Sequence, residues 1–227
     1  MLFIASDIHG IINIDVLKKD NFPVQAGEED YLLICGDAGI VWDGGQQDEK
    51  LKQWYDSQIY TTLFVDGNHE NFDLLNCYPI SYWKRGKIHR ISDKIIHLMR
   101  GQVYEGIVDK EKIFVFGGAF SIKKLRGDYK VPIWNEEMPV EHEYNEGKTN
   151  LLKCGFSVDY IFTHSCPKSC LTELPASYYD EGEKELNDYL EWIHEHVKYR
   201  SWCFGHFHCD KKIGNLTALY KKIVRIV

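Results

Sequence analysis

Apolar runs of strand length alternate with a helical spacing in the first third of the chain. The runs are Leu2-Phe3-Ile4-Ala5, Tyr31-Leu32-Leu33-Ile34-Cys35 and Thr62-Leu63-Phe64-Val65. Between the last two, Leu51, Trp54 and Tyr55 share one face of a helix predicted over Asp48 to Gln58. Strand, helix and strand in that order predict βαβ units and a parallel sheet. From Lys87 to Ala119 the pattern changes to short strand-like runs, Ile88 to Ile91, Lys94 to Met99, Gln102 to Ile107 and Lys112 to Phe116, which read as antiparallel neighbours. Gly127 to Thr149 carries Pro132, Trp134, Pro139 and Gly147 among many acids and reads as an irregular excursion followed by a helix. Strands return at Tyr160 to Thr163 and Trp202 to Phe204, with a helix predicted from Glu183 to Val197 between them. Leu216 to Tyr220 and Lys222 to Val227 are expected to form a closing hairpin. With no repeat and no linker, the α/β pattern predicts one domain over residues 1–227.

Composition narrows the function without naming it. A net charge of −7 over 227 residues disfavours a nonspecific grip on nucleic acid. The seven cysteines follow neither a CxxC pair nor a secreted disulfide spacing, which points to reduced thiols and a cytoplasmic protein. The first residues lack a basic n-region and their apolar run is too short to span a bilayer, so neither secretion nor membrane insertion is expected. Oligomeric state is not legible.

The chemistry lies where the apolar runs end. Asp7-Ile8-His9-Gly10, Gly36-Asp37, Gly67-Asn68-His69-Glu70, Thr163-His164 and Gly205-His206-Phe207-His208 each follow a predicted strand. In open α/β sheets ligands gather beyond the carboxyl ends of the strands, so five such clusters can line one pocket. Asp7 and His9 lie two apart, as do His206 and His208, and alternate residues of an extended chain point to one side. Two aspartates, an asparagine and four histidines form a mixed oxygen and nitrogen set suited to Mn, Fe or Zn, and too large for one ion.

The ordered series DxH, GD, GNHE, H and GHxH resembles the calcineurin-like metallophosphoesterase family over positions 7 to 208. The resemblance implies a two-sheet β sandwich flanked by helices, a four-layer αββα fold. It also implies a dinuclear centre, with Asp7, His9, Asp37 and His208 on one ion and Asn68, His164 and His206 on the other, bridged by Asp37. Manganese is the expected metal, with iron, zinc or nickel as alternatives. Two such ions against two ligand carboxylates leave a local excess of about +2 that attracts a phosphate ester despite the acidic chain. The expected reaction is hydrolysis of a phosphomonoester or phosphodiester by a hydroxide activated between the ions. His69 is the expected general acid, Glu70 a catalytic residue that either orients that ring or supports the ligands from behind, and Asn68 a substrate contact as well as a ligand.

Other signals are weaker. Gly117-Gly118-Ala119-Phe120-Ser121, followed by Lys123, Lys124 and Arg126, resembles a segment of some bacterial and phage-like members of that family. There Arg126 would clamp a phosphate bidentately. His194 and His196 lie two apart on a predicted helix and do not share a face, so they read as solvated. Cys166 and Cys170 read as loop or packing thiols. The second motif runs Gly36-Asp37-Ala38-Gly39-Ile40-Val41-Trp42 and lacks the second Asp and the Arg of the GDxxDRG found in phosphoprotein phosphatases. That weakens a protein phosphatase reading and leaves Trp42 either at a pocket mouth or in the core. A nuclease or RNA-processing phosphoesterase, and a noncatalytic metal-binding interaction module, are the alternatives to that phosphoesterase reading.

Overall fold

The computed structural model describes residues 1–18, 26–121, 132–175 and 180–226. Its centre is a pair of stacked sheets. In the first, β1 (Leu2–Ala5), β2 (Tyr31–Cys35) and β3 (Thr61–Val65) run parallel, and β3 continues parallel to β6 (Ile95–Leu98). β5 (Gly86–Arg90) and β4 (Ile80–Trp83) complete one edge, giving the order β13-β1-β2-β3-β6-β5-β4 once β13 (Val224–Arg225) is added. The second sheet runs β11-β12-β10-β9-β8-β7, from β7 (Gln102–Glu105), β8 (Lys112–Phe116), β9 (Tyr160–Thr163), β10 (Ser201–Phe204), β11 (Lys211–Ile213) and β12 (Leu216–Ala218).

The alternation of side chains assigns each strand two jobs. Leu2 and Ile4 of β1 pack between the sheets with Leu33, Leu63, Val115 and Phe162. Phe3 and Ala5, on the opposite face, pack with Leu32, Ile34 and Phe64 against Leu51 and Tyr55 of α1 (Gln46–Asp56). On the far face of the second sheet, Phe114, Phe116, Ile161 and Trp202 meet α3 (Glu141–Lys153) and α4 (Lys184–His196). A short helix, α2 (Phe72–Leu75), follows β3. In α4 the buried Leu186, Tyr189, Leu190 and Ile193 keep the spacing of one helical face. Both faces of each sheet are therefore covered, which is why the strands read as continuous apolar runs. The result is a helix, sheet, sheet, helix sandwich, in agreement with the expected fold class.

Three features differ from the sequence reading. The runs between Lys87 and Ala119 divide between the sheets: β5 and β6 are antiparallel in the first, β7 and β8 antiparallel in the second. The chain changes sheet at Gly101, whose φ is +71° and where a Cβ would stand 2.9 Å from the Gly147 backbone nitrogen. The hairpin near the C-terminus is β11 with β12 around Gly214, while β13 returns to pair antiparallel with β1. Its first strand was missed because Lys211 and Lys212 are exposed and carry no apolar alternation. β4 was missed for the same reason, with its residues exposed or half-buried at a sheet edge.

A buried ion pair braces the segment after β6. Arg100 Nε donates to Asp66 Oδ2 at 2.7 Å, and its terminal nitrogens reach Glu143 Oε2 at 3.2 Å and the Glu136 carbonyl at 2.8 Å. Burial opposes ionisation of Asp66, yet Arg100 and His97 outweigh it and hold the carboxyl far below the usual range. Arg100→Met leaves that carboxylate unpaired and is expected to cost about 3–5 kcal/mol, lowering Tm by roughly 6–20 °C in a calorimetric melt. Among the described residues, no helix is long and apolar enough to cross a membrane.

Candidate metal centre

The five polar clusters meet at one end of the sandwich. β1, β2 and β3 deliver Asp7, His9, Asp37 and Asn68 from neighbouring parallel strands of one sheet, and β9 and β10 deliver His164, His206 and His208 from the other. Backbone bonds tie the loops together, His9 N to Asp37 O at 2.7 Å and Gly205 N to His164 O at 3.0 Å. Nine non-glycine residues among those described have positive φ, and five are Asp7, His9, Asp37, His206 and His208. Such backbone costs about 1–2 kcal/mol per residue, so its concentration on one set of side chains marks a functional geometry held by the surrounding fold.

Glycines make room for this convergence. A Cβ on Gly205 would sit 1.8 Å from Ser6 Oγ and 2.4 Å from Asp7 Oδ2, and one on Gly67 would sit 2.1 Å from Asp37 Oδ1. The motif glycines are therefore needed for close approach to the two carboxylates.

The side chains fall into two groups: the ligand atoms of Asp7, His9 and His208 all lie within 4.8 Å of one another, as do those of Asp7, Asp37 and His164, and Asp37 faces His9 across the gap. In the first, His9 Nε2 lies 3.2 Å from His208 Nε2 and 3.6 Å from Asp37 Oδ2, and His208 Nε2 lies 3.3 Å from Asp7 Oδ1. In the second, Asn68 Oδ1 lies 3.1 Å from both His164 Nε2 and His206 Nδ1, while His164 Nε2 lies 3.5 Å from Asp37 Oδ1. Ligands about 2.0–2.1 Å from a tetrahedral ion stand roughly 3.4 Å apart, so these pairs have the spacing of atoms that can share an ion. Asp7 and Asp37 are buried, and the facing atoms are carboxylate and amide oxygens with imidazole nitrogens. That acceptor-rich chemistry fits cations of the borderline and hard classes.

Neighbouring groups fix the donors. The Cys35 carbonyl is 2.8 Å from His164 Nδ1 and can only accept, so Nδ1 carries hydrogen and Nε2 faces Asn68 and Asp37. Asn68 Nδ2 donates to Ser121 Oγ at 3.0 Å, which turns Oδ1 towards the histidines. Glu183 Oε2 lies 3.3 Å from His206 Nε2, and its other oxygen accepts from Ser165 Oγ. Asp37 Oδ1 accepts from His69 N at 2.8 Å. Burial alone would raise the Asp37 pKa, but the His164, His69 and His9 rings hold it well below the carboxylate range. The same field overcomes burial at His164 and pushes it up to about 10, chiefly through Asp37. The protein thus gathers negative charge here that demands a positive partner.

Not every expected contact is present. His69 is half-buried with its ring 5.4 Å from that of His9, at the pocket beside the first group. Glu70, expected to orient that ring, is buried and accepts from Ala38 N at 2.8 Å, so it braces the turn after Asp37 instead. Arg126, with Lys123 and Lys124, lies outside the described residues. Trp42 lines the pocket and meets Trp134 edge-on at 5.8 Å. His194 and His196 bond to Tyr199 and the Trp192 carbonyl on α4, away from the centre. Cys166 and Cys170 pack in the core under α4. Glu183 escaped the sequence reading because it starts a helix and no spacing links it to His206. Ser121 belongs to the glycine-turn motif, but its tie to Asn68 depends on tertiary contact.

The calcineurin-like phosphoesterase profile matches residues 2–210. No curated protein matches the chain. Among solved structures, phosphopantetheinyl hydrolase from Mycobacterium tuberculosis is similar with a TM-score of 0.53 at 13% identity, covering 96% of this chain and 87% of that one. A Staphylococcus aureus protein with a provisional 5′-nucleotidase designation has a TM-score of 0.45 at 12% identity, covering 98% of this chain and 49% of that one. The profile spans all five polar clusters, and the chain belongs to the calcineurin-like phosphoesterase family.

Proposed function

We propose that the chain hydrolyses a phosphomonoester or phosphodiester at a centre of two divalent or transition-metal ions, manganese first and iron, zinc or nickel as alternatives. The observation that carries this reading is the division of Asp37 between two acceptor groups, Oδ2 towards His9 and Oδ1 towards His164. One ion would take Asp7, His9, Asp37 and His208, and the other Asp37, Asn68, His164 and His206. Bound there, the pair would supply an activated water and neutralise phosphoryl charge during in-line displacement.

The chain's own residues do the rest. The His69 amide holds the Asp37 carboxylate, and Glu70 holds the following turn through Ala38. Glu183 orients the His206 ring, and the Cys35 carbonyl orients that of His164. The His69 side chain, beside His9 at the pocket, donates a proton to the leaving oxygen. Asn68 remains a proposed contact for the phosphoryl group as well as a ligand. A cytoplasmic setting is part of the proposal, and all seven cysteines are unpaired in agreement with it.

The test is hydrolysis of para-nitrophenyl phosphate and bis-para-nitrophenyl phosphate by metal-stripped protein, with Mn²⁺, Zn²⁺, Ni²⁺ or Mg²⁺ restored separately. Turnover should return with metal, and its preference for one ester fixes mono- or diesterase chemistry. Failure with every metal and both esters contradicts the reading. Glu183→Gln keeps the shape and removes the charge beside His206. It is expected to weaken metal binding about 10–100-fold in competition with a chelator.

A further inference from the structure

The proposed centre opens at His9, His69 and His208 into a pocket larger than a phosphoryl group requires. Its volume is about 410 Å³, and it is lined by His9, His69 and His208 together with Ile11, Ile12, Trp42 and Tyr220. A phosphoryl group on the histidines would leave most of that space empty. The remaining lining is Gly10, Asn13, Gly39 and Gln47, so among the described residues it contains no Lys, Arg, Asp or Glu. The turn after His9 holds the isoleucines in place, with Ile12 N on the His9 carbonyl at 3.2 Å and Asn13 N on the Ile8 carbonyl at 3.0 Å. Ile11 is 56% exposed and Ile12 77% exposed, although side chains of that size are ordinarily buried. Tyr220 stacks face to face on the His208 ring at 4.6 Å, making an aromatic wall next to a ligand candidate.

We infer that this pocket is the subsite for the leaving group, and that the leaving group is neutral with an aromatic or alkyl face. The inference rests on the phosphoesterase reading and specifies its substrate class. A phosphate held at the centre beside His9 and His208 would direct its ester group into the pocket, where an apolar face covers Ile11, Ile12 and Tyr220. Burying one such group is worth about tenfold or more in affinity. A carboxylate or a second phosphate would lose hydration against the isoleucines and find no Lys or Arg among the described lining residues.

The test uses the full chain loaded with Mn²⁺ and titrated calorimetrically with methylphosphonate, benzylphosphonate and 4-carboxybenzylphosphonate, none of which can be hydrolysed. Benzylphosphonate should bind about tenfold tighter than methylphosphonate, and the added carboxylate should remove that advantage. Ile12→Asp and Ile12→Ala, at an exposed position, should each reduce the preference, the aspartate to within about twofold. Equal affinities in the wild type, or a preference untouched by both variants, overturn the inference. So does loss of a dimer in Ile12→Asp, seen by light scattering with phosphonate affinity unchanged, because the isoleucines then serve self-association. Turnover of para-nitrophenyl phosphate on the same preparation reports separately on the phosphoesterase reading. Turnover without benzyl preference rejects the subsite alone, and benzyl preference without turnover rejects the esterase alone.

Discussion

Asp37→Ala is expected to lose metal and turnover together, with kcat down by more than the roughly 100-fold that loss of an outer partner costs. Asp37 turns one carboxylate oxygen towards each group, with Oδ2 3.6 Å from His9 Nε2 and Oδ1 3.5 Å from His164 Nε2. Its removal would take a negative ligand from each proposed ion and the bridge between them. It also takes away the acceptor of the His69 amide, so the loop after β3 loses an anchor. Elemental analysis of the purified variant, set beside its rate on para-nitrophenyl phosphate, checks the outcome. Normal turnover by metal-loaded Asp37→Ala would sink the dinuclear mechanism. Stability should fall as well, because the variant removes one partner of the buried pair with His164 and the acceptor of the His69 amide.

His69→Ala should separate what Asp37→Ala joins. Its ring lies beside His9 at the pocket, outside both ligand groups, so bound metal should stay near the wild-type content. Loss of a positioned general acid costs about 10²–10⁴-fold in rate, with the larger loss on esters whose leaving oxygen is strongly basic. A series of aryl phosphates from para-nitrophenyl to phenyl measures this as a steeper dependence on leaving-group pKa. An equal loss across the series would show that the ring positions the substrate without donating a proton.

The parts legible from the chain are those that local pattern controls. Leu2-Phe3-Ile4-Ala5 and its counterparts gave the central strands because covered sheets demand apolar side chains on both faces. The polar residues just after them then had to converge, since parallel neighbours end at the same edge. β4 and β11 escaped because edge strands need no such pattern: Tyr82 and Lys211 face solvent. The change of sheet at Gly101 escaped because a glycine in sequence does not reveal the Gly147 backbone it must pass. Glu183 and Ser121 escaped for a related reason, since their contacts to His206 and Asn68 are made only after α4 and the β8 turn dock. Glu70 shows why adjacency is not contact: of the two roles open to it, the fold gives it the Ala38 amide behind Asp37 rather than the His69 ring.

The central claim is that two ions on these seven side chains make the chain an esterase. The most direct measurement follows bound Mn²⁺ and para-nitrophenyl phosphate turnover in one titration of metal-stripped protein. The account predicts that binding saturates at two ions per chain and that turnover rises with the second equivalent. Full turnover in stripped protein, or turnover complete after one equivalent, would contradict it.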